Sequence, residues 1–201
     1  MVSNEKVFFM RIFLSVLILI LSFQSWTKAD DIREFEIEGI SIGDSLLDFM
    51  SENEIKNKTT YHNEQGNDRR VGHITNVKSS KNYHQVNAEF KTDDKIYKII
   101  ALTGFVDINS NIKKCKLKKK EIVSEISNIF QDIDKWDTGK QKHEFDKTST
   151  YEGTVFQFKS TGTEFIRVQC YDWSKKSGYE DQLRIEIVSS DYYEWLTSLL
   201  N

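Results

Sequence analysis

The chain has 201 residues, a formal net charge of −3 at pH 7, 38% hydrophobic and 29% charged residues, and no proline. An acidic balance argues against a duplex nucleic-acid partner, which needs a basic face, and a chain of this length can bury a sizeable core. Proline averages about 5% of residues in proteins generally, and its absence beside abundant Lys, Asn and Ile points to an AT-rich bacterial genome.

Residues 1–29 have the layout of a cleavable secretory signal peptide. Lys6 and Arg11 supply positive charge, Ile12 to Phe23 is apolar apart from two serines, and Gln24 to Ala29 is a polar exit ending in small Thr27 and Ala29. The apolar run is shorter than the about 20 residues that a spanning helix needs, so contact with a membrane is expected only in passing, through the leader. No cysteine stands near the cut, which argues against a lipid-anchored form. Met10-Arg11 is itself a conventional start. Cleavage after Ala29 removes Lys6, Arg11, Lys28 and Glu5, taking the net charge from −3 to −5. Residues 30–201 then suit one exported domain, periplasmic or secreted.

Downstream, Asp44 is placed to cap a short helix from Ser45 to about Ser51, with Leu46, Leu47, Phe49 and Met50 as its apolar stripe. Asn53 to Lys81 is polar without periodicity and reads as an irregular segment, with room for a short strand near Tyr61. Val86, Ala88 and Phe90 alternate with polar residues. After a turn at Thr92-Asp93-Asp94, a strand from Ile96 to Ile108 completes a hairpin, with Gly104 marking a bulge or a close approach. The clearest helix runs over about Lys118 to Ile133, where Ile122, Ile126, Ile129, Phe130 and Ile133 share one face. Three further strands have period 2, around Phe156 and Phe158, around Ile166, Val168 and Cys170, and around Leu183, Ile185 and Ile187. A final helix starts near Asp191, which has capping-box spacing to Glu194, and docks through Tyr192, Trp195, Leu196 and Leu199. The fold class expected from this order is α+β, an antiparallel sheet packed with three helices, each half a helix followed by strands.

Cys115 and Cys170 are the two cysteines, and in an oxidising compartment an even count reads as a bridge with one possible pairing. Closing a loop of about 55 residues stabilises a fold by roughly 4 kcal/mol on the chain-entropy account. The spacing excludes a CxxC redox pair, and two thiols alone make a poor zinc site.

Gly43-Asp44-Ser45-Leu46 spells the signature around the nucleophile of the GDSL hydrolases. That family also needs a Gly-x-Asn-Asp block for the oxyanion hole and a late Asp-x-x-His for the base. Gly66-Asn67-Asp68 lacks the intervening residue, no histidine follows His143, and no aspartate stands three residues before any histidine. Serine without an oriented base is a weak nucleophile, so an esterase using Ser45 is kept only as an alternative. His62, His73, His84 and His143 lack ligand spacing, even where His62, Glu64, Asp68 and His73 cluster, and read as solvated loop residues. No metal or cofactor is implied.

Lys113, Lys114, Lys116, Lys118, Lys119 and Lys120 crowd the start of the second helix, where helix N–H groups favour anions. Lys116, Lys118, Lys119 and Lys120 are the candidate ligand-binding residues of this second alternative, capture of an anion or acidic glycan, against a plain solvated surface. Phe165, Tyr171 and Trp173, with Tyr179, Tyr192 and Trp195, either line a groove or pack under the helices, and packing is the commoner outcome.

Phe35 to Phe49, Ile112 to Phe130 and Val168 to Ser174 together resemble small exported proteins of unknown function from AT-rich free-living alphaproteobacteria. The resemblance covers most of residues 30–201 and implies export, paired cysteines and a shared fold, with no functional residue to carry over. The Ile-Gly ahead of a short helix is also similar to lipoprotein interaction modules of the SmpA/OmlA and beta-lactamase-inhibitor type, although the lipobox cysteine is missing. The leading expectation is a periplasmic, non-enzymatic domain that binds an envelope protein or a solute.

Overall fold

In the computed structural model, residues 31–61, 70–78, 80, 82–130 and 133–199 are described. The expected leader, with Lys6, Arg11 and the expected cut after Ala29, lies outside them, as do His62, Glu64 and the Gly66-Asn67-Asp68 stretch.

Three helices and seven strands follow in order: α1 (Glu52–Lys58), β1 (Val71–Ile74), β2 (Gln85–Lys91), β3 (Ile99–Val106), α2 (Ile112–Ile129), β4 (Asp134–Lys142), β5 (Thr150–Gln157), β6 (Phe165–Asp172), β7 (Gln182–Val188) and α3 (Ser190–Ser198). The strands form one antiparallel sheet in the order β1-β2-β3-β7-β6-β5-β4. The chain therefore leaves β3 through α2, reaches the far edge at β4, and meanders back until β7 pairs with β3. This is the expected α+β class, with both halves in one sheet.

Period-2 alternation decides the faces. Val86, Ala88, Phe90, Leu102, Phe156, Ile166, Val168, Leu183, Ile185 and Ile187 point into one apolar cluster, together with Cys115, Ile122 and Ile126 of α2. The N-terminal segment closes that cluster with Ile32, Ile37, Ile40 and Leu46. Phe130 meets Phe158 edge-on at 5.0 Å. On the opposite face a smaller cluster of Val71, Ile100 and Trp195 seats α3, with Tyr192 stacked on Trp195 at 5.4 Å.

Several elements differ from expectation. The helix expected over Ser45–Ser51 is a single 3-10 turn, Leu46–Asp48, capped by Ser45 instead of Asp44. Helix formation is deferred to α1, within the stretch read as irregular. There Ser51 and Glu54 form a reciprocal capping box, and Glu52–Lys56 and Glu54–Lys58 pair along the surface. Only Ile55 of α1 is buried, so no apolar stripe announces it. The expected short strand near Tyr61 is an isolated bridge between Thr60 and His73.

The strand expected over Ile96–Ile108 shortens to Ile99–Val106, because Tyr97 adopts a left-handed φ of 51°. Gly104 is a close approach: a β-carbon there would stand 2.6 Å from the Tyr83 ring. The ladder irregularity falls at Glu89/Phe90 instead. Helix α2 begins at Ile112, where the Asn111 side chain accepts from Lys114 N–H, and ends before Ile133. Cys115 therefore sits in the first turn of the helix, not ahead of it. Strand β4 was not expected at all, since none of its side chains is buried. Helix α3 is capped by the Ser189 hydroxyl, two residues earlier than the Asp191 spacing suggested.

Candidate functional site

Cys115 and Cys170 are joined, Cα to Cα 5.9 Å apart and both fully buried, tying the first turn of α2 to β6. The lysines around Cys115 lie along the same helix. Lys116 Nζ reaches Glu152 at 2.7 Å and Lys119 Nζ reaches the same carboxylate at 3.4 Å. Lys118 pairs with Glu121 at 2.8 Å. The Lys116 hydrogen bond, against some burial, holds the Glu152 carboxyl below its ordinary range. Lys116 and Lys119 thus brace α2 on β5 and Lys118 pairs within the helix, while Lys113, Lys114 and Lys120 are exposed without an ion pair among the described residues.

The Ser45 hydroxyl donates to the Ile96 carbonyl at 2.7 Å and accepts from Leu47 N–H at 3.1 Å. The Asp44 carboxylate accepts from Ser41 N–H at 2.8 Å. Both side chains are thereby committed to turn geometry. His73 is engaged with Glu89 at 3.0 Å and Thr75 at 3.2 Å. Among the described residues no group of three metal-ligating side chains converges, and no helix is long and apolar enough to cross a membrane.

The aromatic residues weighed as one group divide, with Phe165 standing apart at the start of β6 beside the Arg167 guanidinium. Tyr192 and Trp195, on α3 itself, seat that helix against Val71 and Ile100, as described. Tyr171, Trp173 and Tyr179 instead gather at the other end of the sheet with Tyr151 and His143. The register explains the gathering: Tyr151 of β5, Tyr171 of β6 and Gln182 of β7 stand side by side, on the face that alternates away from Ile166, Val168 and Cys170. Tyr151 and Tyr171 are 5.6 Å apart, Tyr171 and Trp173 stack at 5.8 Å, and Trp173 touches His143 at 4.5 Å and Tyr179 at 4.9 Å. Burial pushes the Tyr171 hydroxyl up to about 12, so it stays protonated and donates to Gln169 at 3.0 Å.

Arg184 completes the wall. Its guanidinium lies 4.1 Å over the Tyr171 ring and 5.2 Å over Phe105, a cation–π arrangement. The Gln182 amide, turned to meet both donors, accepts from Arg184 Nη2 at 2.7 Å and from Trp173 Nε1 at 3.1 Å. No carboxylate pairs with Arg184 among the described residues.

Two loops carrying the rings are fixed at Asp146. Its carboxylate accepts from Thr148 N–H at 3.0 Å and from the hydroxyls of Thr148 at 2.5 Å, Ser149 at 2.5 Å and Ser174 at 2.6 Å. Those bonds, Ser149 first, hold its carboxyl far below the usual carboxylate range. Ser174 N–H also donates to Ser149 Oγ, and Trp173 N–H donates to the Asp181 carboxylate, both at 2.8 Å. The result is an open hollow of about 640 Å³ walled by His143, Phe145, Asp146, Trp173, Lys176, Ser177, Tyr179 and Arg184. Phe145 is 93% exposed and Tyr179 67% exposed.

A larger hollow of about 790 Å³ adjoins the Gly43-Asp44 turn, and it has no aromatic wall. Its charges are mostly matched internally, Arg33 with Asp31 and Lys98 with Asp191. Phe145, Tyr151 and Arg184 escaped sequence reasoning, and His143 reads there only as a solvated loop residue, because they come from separate strands and a loop. The alternation of Phe165, Tyr171 and Trp173 against Ile166 and Val168 was the one signal that pointed there. No family model, curated protein or solved structure matches the chain.

Proposed function

We propose that the chain is an exported, non-enzymatic binding domain that holds a small organic ligand in the aromatic hollow. The observation that carries this reading is the exposure of rings on a rigid frame. Phe145, Trp173 and Tyr179 wall an open space, while the Asp146 and Asp181 hydrogen bonds fix the loops beneath them. Rings held open in this way bind with little ordering cost. Export rests on the leader composition, and the buried Cys115–Cys170 bridge is consistent with an oxidising compartment.

A panel of thermal melts tests the reading, because a solute that binds the folded state raises the melting temperature by mass action. The panel comprises neutral oligosaccharides, acidic oligosaccharides, aromatic acids and short peptides. At least one class should stabilise the wild-type domain, fail to stabilise a folded Trp173→Ala/Tyr179→Ala variant, and be recovered unchanged. If no class stabilises the protein, if the variant responds equally, or if the solute is consumed, the reading is wrong.

A further inference from the structure

We infer that the ligand of the aromatic hollow is a saccharide bearing a fixed negative charge, a deduction that rests on the hollow being a ligand site. Three features of the hollow select this chemistry.

Ring spacing comes first. A flat aromatic ligand is held best between two parallel planes roughly 7 Å apart, twice the carbon contact distance. Here the rings touch one another, with Trp173 4.5 Å from His143 at 49° and 4.9 Å from Tyr179 at 43°. No slot lies between them. They form a cup of tilted faces, each able to contact a ligand from one side only. A pyranose fits such a surface, because one face of its ring is C–H and its rim is hydroxyl.

Polar groups come second. Lys176, Ser177 and Arg184 offer donors at the cup wall. Arg184 rests on the Tyr171 ring with no carboxylate partner among the described residues, and its planar fork matches a carboxylate or phosphate. The third feature is the acid. Asp146 is the lone carboxylate of the wall, and its oxygens already receive four hydrogen bonds. Glu180 and Asp181 line the neighbouring hollow beside His84 and Asp107 instead. The wall therefore has cations without an ion pair among the described residues and an acid whose acceptors are occupied.

Calorimetric titration of residues 30–201 with trigalacturonate, its fully methyl-esterified trimer, glucose 6-phosphate and indole-3-acetate tests the inference. The ester keeps the sugar skeleton and loses the charge. Trigalacturonate or the sugar phosphate, whichever carries the matching anion, should bind at least tenfold more tightly than the neutral trimer, and added salt should narrow that gap. Trp173→Ala should weaken the charged and neutral saccharides together. Arg184→Gln should remove the preference for charge, and Lys176→Gln, at an exposed position of the loop after β6, should reduce it. Binding of trigalacturonate and of glucose 6-phosphate both no tighter than that of the neutral trimer, or a preference unchanged in both cation variants, overturns the inference. Tighter binding of indole-3-acetate than of any saccharide also overturns it, while leaving the hollow standing as a ligand site.

Discussion

Asp146 shows how a single side chain sets the shape of the hollow. Its carboxylate draws Thr148, Ser149 and Ser174 together, joining the loop after β4 to the loop after β6. The folded state holds this group below its unfolded value of about 3.9. Its contribution is therefore complete above pH about 4 and is lost as the pH falls below that value. Melting temperature measured against pH should decline below pH 4 in the wild-type protein, and Asp146→Asn should flatten that decline while lowering stability at pH 7. A slope identical in the two proteins would show that the carboxylate does not anchor the loops. Little of this was legible in the sequence. The Gly43-Asp44-Ser45-Leu46 stretch does hold a cap, but the cap is Ser45 and not the expected Asp44, because Asp44 turns back to Ser41 N–H. Gly104 was recognised as special, and the Tyr83 ring packed against it gives the reason. Asp146 gave no signal, since Asp, Thr and Ser in a loop are unremarkable until Ser174 arrives from another strand.

Helix α2 is the element on which the two halves depend. It lies across the sheet, its Ile122 and Ile126 in the core, and its first turn is bound covalently to β6. Removing the bridge with Cys115→Ala/Cys170→Ala should cost about 2–5 kcal/mol. For a domain of this size that corresponds to a fall of on the order of 10 °C in melting temperature, read by circular dichroism. No change would mean that the Glu152 contacts and the apolar face alone seat the helix. Elements were legible where burial writes a period into the sequence. The central strands β2, β3, β6 and β7 and the apolar end of α2 carry such a period. The lysine-rich start of α2, the surface helix α1 and the exposed edge β4 do not. Helix α1 is held by caps and surface pairs, and β4 by its ladder with β5, neither of which produces an apolar repeat.

At the scale of the whole molecule, the sheet order β1-β2-β3-β7-β6-β5-β4 brings residues far apart in the chain to one end. The hollow takes His143 from the loop after β4, Trp173 and Tyr179 from the loop after β6, and Arg184 from β7. Strand pairing decides that meeting, and pairing cannot be read from composition or periodicity. The α+β class could be read, because strands in runs between helices have few other ways to bury their apolar faces. The indole N–H resonances offer a direct view of the hollow, since within residues 30–201 the tryptophans are Trp136, Trp173 and Trp195. Trp173 lines the hollow, Trp195 of α3 is buried, and Trp136 stands on the β4 edge. Titrating the nitrogen-15-labelled domain with the acidic oligosaccharide fraction should move the Trp173 indole signal progressively and leave the other two in place. A Trp173 signal that stays fixed, or moves no more than Trp136 and Trp195, would contradict the assignment of the hollow as the binding site.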